Sequence, residues 1–147
     1  MLTVIIDARD GTDGLAALLA QLTAGAVDGI VREVRIVAAP DQPAIDLLCE
    51  DMGAEAHPTL ADAARAARSE TLLMAPASFR FRDGWIGSLN AHMAADGGPA
   101  SVVGLGGGGL RRAPEGVLIA RGGVAEADGA DLKHLRRALG FGRRRIG

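Results

Sequence analysis

The chain has no tyrosine, one cysteine and one tryptophan, and aromatic residues make up only 3% of it. A core with so few aromatics must be built from closely packed Val, Ile, Leu and Ala. With Cys49 alone, an intramolecular disulfide and a cysteine zinc site are both excluded. Cys49 follows Asp46-Leu47-Leu48, a setting that predicts an inert buried thiol. No apolar run approaches the roughly 20 residues that a membrane span requires. The N-terminus also lacks the basic start and long apolar run of a leader. The expected location is the cytoplasm. A strong excess of positive charge is missing too: the net charge is −2, which argues against a nucleic-acid partner.

What remains is enough for one folded domain. The chain has 147 residues, of which 48% are hydrophobic. Leu2–Ile6 is a continuous apolar run, as expected of a strand buried on both faces. A polar loop follows, Asp7 to Gly14, in which Thr12 or Asp13 is placed to cap a helix. Leu15, Leu18, Leu19 and Leu22 then recur at helical spacing. Ala24–Val31 reads as a turn with a short extension, and Glu33–Ala38 as a second strand. Ala44–Met52 reads as a helix closed by Gly53. Ala54–His57 is a short third strand, Leu60–Arg68 an Ala-rich helix, and Thr71–Ala75 a fourth strand ended by Pro76.

Alternation of strand and helix predicts an α/β fold with a mostly parallel central sheet and helices on both faces. Its ligands would sit beyond the carboxyl ends of the strands, where the strand order switches. That directs attention to Asp7–Gly14, Ala38–Pro43 and Pro76–Gly84. Beyond them, a helix is expected from Asp83 to about Ala95, strands at Val102–Leu105 and Gly116–Arg121, and a helix at Asp131–Leu139.

Several features invite chemistry. The run Gly104 to Gly109 lacks the Lys-Ser or Lys-Thr of a phosphate loop and reads as a flexible surface loop. His57, His92 and His134 show no metal-ligand spacing. Trp85 reads as a packing residue, with stacking on a base or sugar as the sharper alternative. Asp7, Asp10 and Asp13 cluster after the first strand, where they could bind a base or ribose hydroxyls or simply form a polar capping loop. From Leu132 onward the chain carries Lys133, Arg136, Arg137, Arg143, Arg144 and Arg145 without an acidic residue. This is either a solvated helix face with a tail or a surface for an anionic partner.

Taken together, these segments resemble family 2 glycosyltransferases. Val4-Ile5-Ile6-Asp7-Ala8-Arg9-Asp10 resembles the opening VIIPTYN strand and loop, and Val31-Arg32-Glu33-Val34-Arg35-Ile36-Val37 the second strand, REVIVVD. Ala63 to Leu73 is similar to the AAARGEWLL helix and strand. Phe81-Arg82-Asp83-Gly84-Trp85 is similar to LxPGW, and Glu115–Arg121 to the GxLIxR strand. Asp128–Leu132 with Leu135-Arg136-Arg137 resembles EDxDLxxRL. The likeness spans the chain in shortened form, and the glycine stretch stands where the acceptor region would be.

The resemblance implies a GT-A-like nucleotide-diphospho-sugar transferase sandwich. In that family a DxD motif holds a divalent cation against the sugar-nucleotide diphosphate, and a later aspartate acts as base. Here Pro76-Ala77-Ser78 stands at the DxD, Ala38 replaces the aspartate ending the second strand, and Gly129 occupies the base position between Asp128 and Asp131. The expectation is a degenerate family 2-like protein without a metal site or metal-dependent sugar transfer, and at most weak nucleotide binding through Asp7, Arg9 and Asp10.

Two alternatives stand beside it. One is a metal-independent glycosyltransferase with Arg143, Arg144 and Arg145 at the diphosphate and Asp128 or Asp131 as catalytic base. The other is a non-catalytic module whose basic C-terminus meets a protein partner or an anionic membrane surface. An exposed sheet edge would also permit a homodimer.

Overall fold

A computed structural model describes residues 1–95, 97–126, 131–138 and 144–147. Its first half alternates as the hydrophobic pattern predicts: β1 (Leu2–Asp7), α1 (Leu15–Val27), β2 (Val31–Val37), α2 (Pro43–Met52), β3 (Glu55–His57), α3 (Leu60–Ala66) and β4 (Thr71–Pro76). There follow α4 (Trp85–Ala94), β5 (Ala100–Val103), β6 (Glu115–Ala120), α5 (Arg121–Glu126), α6 (Leu132–Ala138) and β7 (Arg144–Ile146). The strands form one seven-stranded sheet in the order β3-β2-β1-β4-β6-β5-β7. Among these strands β6 alone runs against the others.

Side chains of β1 alternate between two cores, as a strand's period of two requires. Leu2, Val4 and Ile6 pack with Leu15, Leu18 and Leu22 of α1, Ile45 and Cys49 of α2, and Trp85 and Leu89 of α4. Ile5 faces the opposite way, toward Leu60, Ala63 and Ala64 of α3, Val124 of α5, and Leu132 and Leu135 of α6. The sheet is thus covered by helices on both faces. Cys49 is buried as expected, and burial pushes its thiol pKa up. Among the described residues no helix is long and apolar enough to cross a membrane.

Among the described residues the scarce aromatics lie together. Phe81 stacks on Trp85 with ring centroids 4.0 Å apart, and Phe79 meets Phe81 edge-on at 5.0 Å. Trp85 is therefore a packing residue. A Cβ on Gly25 would fall 2.5 Å from the Trp85 ring and 2.8 Å from Val31. That glycine lets α1 lie directly on the ring.

The expected boundaries need correction at several points. Ala24–Val31 is not a turn: α1 continues to Val27 and β2 begins at Val31. Neither Thr12 nor Asp13 caps α1. The N-cap is Gly14, in the left-handed conformation and without a side-chain bond. The guanidinium of Arg80 lies against Gly14, where a side chain would collide. Helix α3 ends at Ala66, and β5 starts at Ala100 rather than Val102. Gly53 closes α2 in the left-handed conformation, as expected.

Candidate functional site

The chain passes from β1 outward to β2 and β3, then returns to place β4 on the other side of β1. This switch in strand order opens a crevice at the carboxyl ends of β1 and β4. A cavity of about 530 Å³ lies there. One wall is the loop after β1, with Asp7, Asp10, Gly11 and Asp13, and the floor is Pro76-Ala77-Ser78. The opposite wall is the start of α6, with Asp131, Leu132, Lys133 and Arg136.

Backbone geometry fixes the first two parts against each other. Ala77 N–H donates to the Asp7 carbonyl at 3.1 Å, and Ala8 N–H donates to the Val37 carbonyl at 2.9 Å. Gln42 joins the loops, donating to the Ala8 carbonyl at 2.9 Å and accepting from Ala39 N–H at 2.7 Å. Arg80 donates to the Ala77 carbonyl at 3.3 Å. The turn below Ser78 is closed by Phe79 N–H on the Pro76 carbonyl at 3.0 Å, with the Phe79 ring fully buried beneath it.

The residues expected to bind a nucleotide divide in two. Asp7 and Asp10 line the cavity. Arg9 clamps Asp7, its Nε 3.0 Å from Oδ1 and a terminal nitrogen 2.8 Å from Oδ2. The side-chain hydrogen bond to Asp7 raises the Arg9 pKa. Asp7 is thereby largely neutralised inside the wall, which leaves Asp10 and Asp13 as its open carboxylates.

Of the two expected bases, Asp128 lies outside the described residues, as does Gly129. Asp131 does reach the cavity. Its Oδ1 accepts the His134 backbone N–H at 2.7 Å and lies 3.2 Å from His134 Nδ1. The backbone bond is the main reason that its pKa lies below the ordinary value.

Of the expected anion ligands, Arg143 lies outside the described residues. Arg144 and Arg145 stand on β7, paired with the far side of β5, and neither lines the cavity. Arg145 instead meets Glu115 at 2.8 Å. The cations that do line the cavity are Lys133 and Arg136. They belong to the same basic stretch, and their three-residue spacing puts them on one helical face. Only the packing of α6 against β4 and β6 shows that this face meets the loop after β1.

A divalent cation at the DxD position does not fit these residues. Pro76 and Ala77 supply no side-chain ligand there, and Ser78 supplies only a hydroxyl. Among the described residues no three His, Cys, Asp or Glu side chains converge on a possible metal position.

No family model matches the chain. No curated protein matches it either. Among solved structures it is similar to 4-diphosphocytidyl-2C-methyl-D-erythritol synthase from Anaerococcus prevotii, with a TM-score of 0.67 at 11% identity. The match covers 99% of this chain and 86% of the other. At that identity the likeness concerns the fold alone. The chain shares the α/β fold of that synthase, and nothing in the match singles out family 2 glycosyltransferases.

Proposed function

We propose that this chain is a GT-A-like domain, degenerate relative to the family 2 glycosyltransferases, that binds a nucleotide or nucleotide-sugar without metal-dependent sugar transfer. The observation that carries this reading is the floor of the cavity. Pro76-Ala77-Ser78 forms the floor of the crevice at the strand switch, and these three residues carry no carboxylate to bridge a cation to a diphosphate. The name of the similar synthase, which includes a diphosphocytidyl group, supports a nucleotide as the ligand class. So does the loop after β1, whose Asp10 and Asp13 can accept hydrogen bonds from ribose hydroxyls or base amino groups.

The reading is tested by adding CDP or UDP, in EDTA, to ¹⁵N-labelled protein. The amides of Gly11, Ala77, Ser78 and Lys133 are expected to shift together, with saturation near millimolar ligand, about −4 kcal/mol of binding. Shifts confined to the glycine loop or to β7, or none at all, would overturn it.

A further inference from the structure

The connection from β5 to β6 carries an apolar side chain where tight turns normally carry polar ones. Gly108 and Arg111 exchange backbone hydrogen bonds of 3.2 Å, which closes a tight hairpin turn over Gly109 and Leu110. Gly109 takes a φ of +61°, and Gly107, at +79°, lies so close to the Ala113 backbone that a Cβ would come within 2.6 Å of its nitrogen. The turn is therefore built by its glycines, and it leaves Leu110 fully exposed at the apex. Leu105, at the foot of the hairpin, is half-exposed.

Four arginines accompany these leucines. Arg111 and Arg112 follow the apex and are exposed. Arg80 and Arg82 hold the foot: the Arg80 carbonyl accepts the Leu105 N–H at 2.7 Å, and Arg82 Nε donates to the Gly104 carbonyl at 3.0 Å. Among the described residues none of the four pairs with a carboxylate. Residues 104–114 contain no Asp or Glu, and Asp83 is the only carboxylate between Phe79 and Trp85, so the patch is positive although the chain's net charge is −2. Strand β5 runs against β6, and β6 against β4, so the hairpin leaves the sheet on the same edge as the cavity.

We propose that this hairpin docks the protein on an anionic membrane surface, with Leu110 entering the acyl boundary and Arg111 and Arg112, backed by Arg80 and Arg82, meeting lipid phosphates. The argument is complementarity of two kinds. Guanidinium groups match phosphate oxygens, and each cation near an anionic leaflet contributes about fivefold in affinity. A protruding leucine gains nothing from a polyanion such as nucleic acid, but it gains from lipid. A bilayer also accepts a single convex tip, where a protein partner would need a fitting cleft. Docked this way, the cavity at the β1–β4 switch opens beside the lipid surface. The proposal does not depend on the nucleotide reading.

The test measures co-sedimentation of the full-length protein, without nucleotide, with vesicles of phosphatidylglycerol mixed equally with phosphatidylcholine. Phosphatidylcholine alone is the neutral control. The substituted residues are exposed, so the variants keep the fold. Binding to the anionic vesicles is expected to exceed the control by about tenfold or more and to weaken as salt is raised. The double variant Arg111→Gln, Arg112→Gln should lose about tenfold to thirtyfold. Leu110→Ser should lose about tenfold. Leu110→Trp should keep its binding, and brominated acyl chains should quench the new indole but not the buried Trp85. Equal binding to both vesicle types, full binding by Leu110→Ser, or no quenching in Leu110→Trp would overturn the proposal. So would oligonucleotide binding that the arginine double variant loses while the vesicles stay unbound, since the patch would then serve a nucleic acid.

Discussion

Phe79→Ala is expected to lower the unfolding free energy by about 3–5 kcal/mol. The ring is fully buried, edge-on to Phe81 and packed against Gly104, where a Cβ would come within 2.7 Å of it. Transfer of so large a side chain accounts for part of the loss, and the remainder is a cavity that the surrounding backbone cannot fill. Gly104 is tied down by its N–H on the Pro114 carbonyl at 2.8 Å, and Leu105 by its N–H on the Arg80 carbonyl at 2.7 Å. The consequence reaches the site, because the same ring supports the turn that carries Pro76-Ala77-Ser78. Urea unfolding followed by the single tryptophan measures the effect, since Trp85 belongs to the same aromatic stack. A loss below about 1 kcal/mol would mean that the turn does not depend on this cluster.

The second large effect belongs to Arg35. Its side chain is only 4% exposed, yet it lies 2.9 Å from Glu33 and 2.6 Å from Glu55. It also donates to His57 Nε2, 2.9 Å away. Glu33 in turn accepts the Thr3 hydroxyl at 2.9 Å and the Arg68 backbone N–H at 2.6 Å. Burial tends to raise the Glu33 pKa, but the bonds from Arg68, Arg35 and Thr3 more than offset it.

Arg35→Ala should cost about 3 kcal/mol, because it leaves a half-buried glutamate without its main counter-charge. Arg35→Met leaves Glu33 equally without that counter-charge but fills the space, so it should recover only the packing part of the loss, about 1 kcal/mol. A pH dependence accompanies the network. Burial, and next the charge of Arg35, lower the His57 pKa. The unfolded chain then binds more protons than the folded one below pH about 6.5. Stability should be complete above that value and fall as the pH drops toward the folded-state pKa. His57→Gln should flatten the unfolding free energy between pH 7 and 5.5. An equally steep decline in that variant would place the titrating group elsewhere.

The parts of this fold that were legible in the sequence are those governed by short-range pattern. Leu2–Ile6 and Thr71–Ala75 are apolar runs without alternation, and strands flanked on both sides by helices need that pattern. Their carboxyl ends could therefore be named as the site before any packing was known. Gly25 was misleading. Glycine in Ala24-Gly25-Ala26 reads as a break, whereas the helix continues because that position must admit the Trp85 ring. Helix α5 hides for the same reason, with two glycines in Arg-Gly-Gly-Val-Ala-Glu. Strand β7 is three residues, Arg-Arg-Ile, paired by register alone. Within the basic C-terminal stretch, nothing local separates Lys133 and Arg136 from Arg144 and Arg145. Their elements separate them, since α6 packs on β4 and β6 beside the cavity, whereas β7 adds to the edge of β5 away from β6. Arg35 is a similar case: its carboxylate partners Glu33 and Glu55 come from two neighbouring strands, and only the β2–β3 register brings Glu55 and His57 to it.

The central claim is that the cavity at the β1–β4 switch takes a nucleotide without a bridging cation. Calorimetric titration of the protein with CDP and UDP, once in EDTA and once with Mn²⁺, tests it most directly. The predicted result is saturable binding whose affinity changes by less than about twofold between the two conditions. Tightening by about tenfold or more with Mn²⁺ would contradict it, because a bridging cation would then be contributing to the bound state.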